Sequence, residues 1–187
     1  MNITVYLGAC AGTDPAFQKA VRELGTWIGN EKHTLIYGGS NCGLMGELAD
    51  SVMAAGGRVI GVEPQFFVDE GFLHEGITGT IVVPDMSVRK AKMIALGDAF
   101  IAFPGGTGTL EEISEIMSKV SLGHLKAPCI VYNLNGYYDP LKTLLERMIE
   151  MGLSDRERQK LIFFEDSLED IVPILNRVNS PFVGMLD

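Results

Sequence analysis

The sequence predicts an α/β fold with a doubly wound, mostly parallel sheet and helices on both faces. Three observations predict it. Short apolar runs alternate with longer amphipathic stretches along the whole chain. Within the runs the apolar residues are continuous rather than alternating, as in strands covered on both faces. Glycine clusters follow three of the runs directly, where a strand would turn into a helix.

In chain order, Ile3–Leu7 reads as the first strand, and Asp14-Pro15 opens a helix over Pro15–Gly29, with a capping carboxylate before a proline suited to the first turn. Thr34–Tyr37 is a strand and Gly43–Ala55 a helix; Arg58–Val62 is the third strand. Glu63–Gly76 is the one long irregular stretch and is expected to be a loop near the site. Gly79–Val83, Ala99–Phe103 and Pro128–Tyr132 complete the strands. The helices between and after them are Met86–Leu96, Thr109–Leu122, Pro140–Met151 and Leu168–Val178, with Asp139 expected to cap the third of these.

The 187 residues make the length of one ordinary domain, and no linker, repeat or low-complexity tract divides them, so a single domain spanning 1–187 is expected. With 47% hydrophobic and 21% charged residues, the chain can bury a core. Its 15 Lys and Arg against 24 Asp and Glu give a net charge of −9, which excludes long-range attraction to nucleic acid or an anionic membrane. Any anionic ligand must be held locally. Cys10, Cys42 and Cys129 lack CxxC pairing, and His33, His74 and His124 lack ligand spacing, so neither a disulfide framework nor a metal site is expected. The N-terminal run has no basic leader, and no apolar stretch approaches the roughly 18 residues that span a bilayer, so the expected compartment is the cytoplasm.

Three turns could hold a ligand: Gly8–Gly12, Gly38–Gly43 and Pro104–Thr109. None is a dinucleotide fingerprint or a P-loop, since Glu111 stands where a third glycine is needed and no Gly-Lys-Ser/Thr follows. The third turn is the most informative, because several small residues ending at a helix start let backbone N–H groups converge on a phosphate. Thr109 and Glu112 fit a capping box, so spacing alone leaves Glu112 between capping and chemistry. Helical spacing sets Leu110, Ile113, Met117 and Val120 on one face, with Glu111, Glu112 and Glu115 elsewhere. In Met86–Leu96, Arg89 and Lys90 share the face of Met86, Met93 and Leu96, while Lys92 points away. Those two cations either snorkel past the sheet or face an anion at its end.

These residues resemble a known family. Pro104-Gly105-Gly106-Thr107-Gly108-Thr109-Leu110-Glu111-Glu112 resembles the PGGxGTxxE motif of the LOG ("Lonely guy") phosphoribohydrolases, whose members have often been mislabelled lysine decarboxylases. Met86–Met93 resembles that family's Met-x-x-Arg-Lys-x-x-Met helix, and Tyr37–Gly46 its Tyr-Gly-Gly-Gly-x-x-Gly-Leu-Met-Gly turn. Weaker echoes fall at Gly61–Pro64 and Asn135–Tyr138. The resemblance implies a Rossmann-like homodimer, without metal or redox cofactor, that hydrolyses the N-glycosidic bond of a nucleoside 5′-monophosphate to free base and ribose 5-phosphate. By position in the motifs, the catalytic residues map to Arg89 and Glu112. The substrate-binding positions map to Gly39, Ser40, Met86, Lys90, Gly105, Gly106, Thr107, Gly108, Thr109 and Glu111.

The chain departs from the pattern at Val88, where many members have Glu, at Gly8-Ala9-Cys10, where they often have Gly-Ser-Ser, and at Ser40 in place of glycine. The implied substrate is therefore AMP or a cytokinin riboside 5′-monophosphate. The rival of a different class is a carrier that binds a nucleotide or cofactor on the same fold without hydrolysis. A pyridoxal-phosphate decarboxylase would need a Schiff-base lysine within its own cofactor site, and no such constellation is legible.

Overall fold

The structure, a computed structural model, describes residues 1–178; residues 179–187 of the expected domain lie outside them. Seven strands form one parallel sheet: β1 (Asn2–Tyr6), β2 (Thr34–Tyr37), β3 (Arg58–Pro64), β4 (Gly79–Val83), β5 (Ala99–Ala102), β6 (Cys129–Tyr132) and β7 (Ile162–Glu165). The helices are α1 (Pro15–Asn30), α2 (Gly43–Ala54), α3 (Gln65–Asp69), α4 (Met86–Leu96), α5 (Thr107–Ser121), α6 (Asp139–Glu150) and α7 (Leu168–Val178).

The strand order is β4-β3-β2-β1-β5-β6-β7, so the chain leaves β1 in one direction through β4 and returns to its other side with β5. That reversal between β1 and β5 opens a crevice at the carboxyl ends of the strands. Ile3 to Tyr6 pair in register with Ala99 to Ala102, which brings the turns after β1 and β5 side by side. One sheet face is covered by α1, α2 and α7 through residues such as Leu24, Leu48 and Leu175, all fully buried. The other is covered by α4 and α5 through Met93, Ile113 and Ile116.

Four expectations are corrected. β7 was not predicted: its apolar run is only four residues long, and it is a half-buried edge strand beside β6. β4 does not have the continuous burial read for Gly79–Val83 but alternates, because it too is an edge. The stretch after β3 contains a short helix, α3, before it becomes irregular. Asp139 does not cap α6, whose N-cap is Tyr138; its carboxylate instead accepts from the Asn133 side-chain amide at 2.9 Å. Asn133 also donates to Asp166 and accepts from the Tyr138 backbone N–H, so this one amide organises the turn and draws Asp139 away from the helix end. Asp14, by contrast, caps α1 as expected, accepting from the Ala16 N–H at 2.9 Å.

Candidate functional site

A cleft of about 920 Å³ lies over the β1/β5 reversal, walled by the turns after β1, β2 and β5 and by side chains of α4 and α5. The turns support one another. A Cβ at Gly105 would overlap the Thr109 side chain and approach the Gly8 backbone nitrogen, so only glycine permits this packing. Around Gly106 and Gly108 there is open space instead. The Tyr137 hydroxyl donates to the Gly105 carbonyl at 2.6 Å, and its ring meets Phe17 edge-on at 5.8 Å, which ties the loop to α1 and to the turn before α6.

Helix α5 begins two residues earlier than the sequence suggested. Its N-cap is Gly106, whose carbonyl accepts the first helical bond from the Leu110 N–H, so Thr109 is the third helical residue and forms no capping box with Glu112. The N–H groups of the first turn, Thr107–Thr109, have no partner within the helix and border the cleft. Thr109, Glu112, Ile113, Ile116, Met117 and Val120 form the buried stripe, and Leu110, expected on it, is 43% exposed.

Glu112 therefore points inward, where α4 presents Arg89. The guanidinium Nη1 donates to Glu112 Oε1 at 3.3 Å and Nε donates to the Val62 carbonyl at 3.0 Å, and each of the two residues is only 8% exposed. Arg89 also packs beside Gly38, where any Cβ would collide with Nη2. Burial pushes the Glu112 carboxyl from 4.5 to about 7. Arg89 and the more distant Lys90 oppose that rise, and Glu111 adds to it. The Tyr6 hydroxyl, on β1 beneath this pair, is raised by burial and then by the negative charge of Glu112.

Of the residues singled out by sequence, Ser40, Met86, Arg89, Gly105, Gly106, Thr107, Gly108, Thr109 and Glu112 line the cleft together. Lys90 and Glu111 lie outside its wall, paired to each other at 2.8 Å, with Lys90 also 3.3 Å from Glu115. Gly39 stands behind the wall, with φ of +93° and its α-carbon turned toward Glu63. Lys92 is exposed, as its helical position predicted.

Sequence reasoning assigned no role to Glu63, which entered only as a position within the Gly61–Pro64 echo and as the start of the stretch expected near the site. It is 1% exposed, lines the cleft, and burial raises its carboxyl to about 7 against the pull of Arg89. Phe67, on α3, and Phe72, from the irregular stretch after it, form a further wall. That stretch is sewn to the turn after β2 by Asn41 N–H to Phe72 O at 3.0 Å and His74 N–H to Gly39 O at 2.9 Å. Among the described residues, no group of three His, Cys, Asp or Glu side chains is placed to hold a metal ion, and no helix is long and apolar enough to cross a membrane.

Comparison with known proteins adds family and fold. A family model described as "Possible lysine decarboxylase" matches residues 45–175. The cytokinin riboside 5′-monophosphate phosphoribohydrolase of Rhodococcoides fascians is 40% identical over 168 residues, covering 88% of this chain and 84% of that protein. The Arabidopsis thaliana phosphoribohydrolase LOG1 is 36% identical, over 96% of this chain and 87% of that one. Among solved structures, a molybdenum cofactor carrier protein from Chlamydomonas reinhardtii superposes with a TM-score of 0.73 at 20% identity, over 95% of this chain and 97% of that one. The molybdenum cofactor binding protein of Rippkaea orientalis gives 0.70 at 20% identity, over 96% and 97%. At that identity the structural likeness speaks for the Rossmann-like fold alone.

Proposed function

The chain belongs to the LOG family of cytokinin riboside 5′-monophosphate phosphoribohydrolases, and from that premise we propose that it hydrolyses the N-glycosidic bond of a nucleoside 5′-monophosphate, AMP or a cytokinin riboside 5′-monophosphate, to free base and ribose 5-phosphate. One observation carries the reading: a buried, ion-paired carboxylate, Glu112, stands one turn beyond a helix N-terminus that opens on the same cleft.

The 5′-phosphate sits on the N–H groups of Thr107–Thr109, which have no partner within the helix, favoured by the dipole of α5 and by the open space around Gly106 and Gly108. Glu112, on the turn that follows, then faces the ribose. Cleavage develops positive charge on the sugar, and an ionised carboxylate stabilises that charge and orients the attacking water. Arg89 keeps part of the Glu112 population ionised against its burial and fixes the position of the carboxylate. Being always charged, Arg89 acts as an electrostatic clamp and not as a proton donor. Hydrolysis by this route draws on water and the chain's own residues.

The reading extends to a homodimer acting in the cytoplasm, in cytokinin biosynthesis, with the chain working as one domain. Exposed Leu110 on α5, Leu122 just after it, and Leu144 on α6, which buries no side chain fully, support the homodimer. Release of free adenine from AMP by the purified protein tests the activity. Tight binding without release would favour the carrier reading.

A further inference from the structure

Cys10 and Cys42 come together in space although nothing in their spacing along the chain pairs them. Cys10 lies in the turn after β1, and Cys42 is the N-cap of α2, at the end of the turn after β2. β1 and β2 are hydrogen-bonded neighbours, so both turns leave the same end of the sheet side by side. They touch through backbone. Gly43, which follows Cys42, is left-handed at φ +53°, and a Cβ there would lie 2.7 Å from the Cys10 carbonyl carbon and overlap the Ala9 carbonyl oxygen. With standard bond lengths, that contact keeps the α-carbons of Cys10 and Cys42 within roughly 9.5 Å of each other. A disulfide needs about 4.4–6.8 Å, so a shift of at most about 3 Å joins them. The turn after β1 is free to make it: among the described residues, 9–13 form no backbone hydrogen bond.

Both residues border the cleft. Cys10 is exposed and Cys42 half-buried, its Sγ donating to the adjacent Asn41 side chain at 3.2 Å, whereas Cys129 on β6 is fully buried. A thiol enclosed in a core is inert, but two accessible thiols on facing turns can react with a small oxidant and then with each other. Cys10 is also a position at which the chain departs from its family's pattern, which often has serine there.

We propose that Cys10 and Cys42 form a reversible disulfide on oxidation by a hydroperoxide, and that this bond switches the cleft off. The Cys10 thiolate attacks one oxygen of the peroxide, the O–O bond breaks, and the departing oxygen takes up the thiol proton and leaves as water, with a sulfenic acid on Cys10. The Cys42 thiolate then attacks the sulfenic sulfur, the S–O bond breaks, and the hydroxide leaves with the Cys42 proton as a second water. The two electrons lost by the sulfurs have reduced the peroxide. The turn that moves also supports the phosphate-binding turn: the Gly8 N–H donates to the Pro104 carbonyl at 3.4 Å, and a Cβ at Gly8 would lie 3.4 Å from the Gly105 α-carbon. Because β1 lies between β2 and β5, drawing Cys10 toward α2 pulls Gly8 away from Gly105 and displaces the loop leading into Thr107–Thr109. A dithiol reductant reverses the exchange and restores the cleft. Formation of the bond does not depend on the proposed function; only its effect on turnover does.

The test treats the purified, reduced protein with a small excess of hydrogen peroxide and reads intact mass, linked peptides, base release from AMP and AMP Kd by calorimetry. The mass should fall by two hydrogens, with the Cys10 and Cys42 peptides joined and Cys129 still a thiol. kcat/KM for AMP should fall by at least about tenfold, since a misplacement of about 1 Å at such a site costs that much or more, and should return on adding dithiothreitol. Cys10→Ser should form no link and keep its own untreated rate within about twofold. Cys42→Ser should form no link and leave Cys10 as a sulfenic acid that dimedone traps. Peroxide that leaves both thiols free in the unmutated protein, or that links two chains instead, overturns the proposal. So does a Cys10–Cys42 link that leaves kcat/KM and Kd for AMP within about twofold of the reduced protein. If the reduced protein releases no base from any 5′-monophosphate, the hydrolase reading fails, and the ratio of AMP Kd between oxidised and reduced protein judges the switch by the same thresholds.

Discussion

Arg89 on α4 and Glu112 on α5 meet at 3.3 Å, each only 8% exposed, at the mouth of the β1/β5 crevice. Neither helix needs this pair for its own stability. Removing two charges from water costs more than an isolated pair of this length returns, so an apolar pair would hold α4 against α5 as well. What the pair supplies is a carboxylate whose ionisation is balanced near neutrality, between burial that raises it and a guanidinium that lowers it.

Arg89→Ala removes the group opposing that rise. Glu112 should then titrate well above 7, and kcat for AMP at pH 7 should fall by at least about a hundredfold. Part of the loss should return as pH is raised, which a purely structural defect would not show. Lys92→Ala is the control, since Lys92 is exposed on the opposite side of α4. An equal loss at Lys92 would contradict the assignment of helix faces.

The pH dependence of stability follows from the same burial. Glu63 and Glu112 each have a folded value of about 7 against an ordinary 4.5. A group raised in the folded state contributes stability that is fully present below about pH 4.5 and is lost as pH climbs to about 7, where the unfolded chain has released its proton and the folded one still holds it. Each carboxyl should contribute at most about 1.4 kcal/mol per pH unit in that window. Urea unfolding at pH 5 and pH 7 checks the sign, and Glu63→Gln should flatten the slope. kcat should run the other way, rising through about pH 7 as Glu112 ionises within reach of Arg89, Lys90, Glu111 and Tyr6.

How much of this was legible in the sequence depends on how local each signal was. Gly105–Thr109 and Arg89 could be read because small residues at a helix start, and cations on an apolar stripe, declare themselves within one turn of chain. The start of α5 could not be placed by propensity. Thr109 reads as a capping residue, but the N-cap is Gly106 and the Thr109 side chain packs against Gly105 from within the first helical turn. Glu63 stood within the Gly61–Pro64 echo, but its burial could not be read there. Among the described residues its Oε2 has no hydrogen-bond partner, a fact of packing between strands rather than of spacing along the chain.

The phosphate should provide most of the recognition. Base release from AMP should exceed that from adenosine by at least about a hundredfold in kcat/KM, because binding energy at Thr107–Thr109 is used at the sugar–base bond. A crystal with AMP should show its phosphate on those N–H groups. A phosphate bound at Gly8–Gly12, or equal kcat/KM for the two substrates, contradicts this placement.

Light scattering at micromolar concentration should give twice the chain mass. The exposed apolar residues of α5, its C-cap and α6, Leu110, Leu122 and Leu144 among them, are the expected contact surface. A monomer under those conditions rules the homodimer out.

The most direct measurement is kcat for AMP in Glu112→Gln, taken beside its AMP affinity and Tm. The amide keeps the size of the side chain and still accepts from Arg89, but it has no charge to offer the developing cation on the ribose. kcat should fall by at least about a hundredfold, with affinity within a few-fold of the wild type and Tm unchanged or raised, since a buried carboxyl has been replaced by a neutral group. A variant that folds, binds AMP and turns it over at close to the wild-type rate would contradict the central claim that Glu112 carries the chemistry of this cleft.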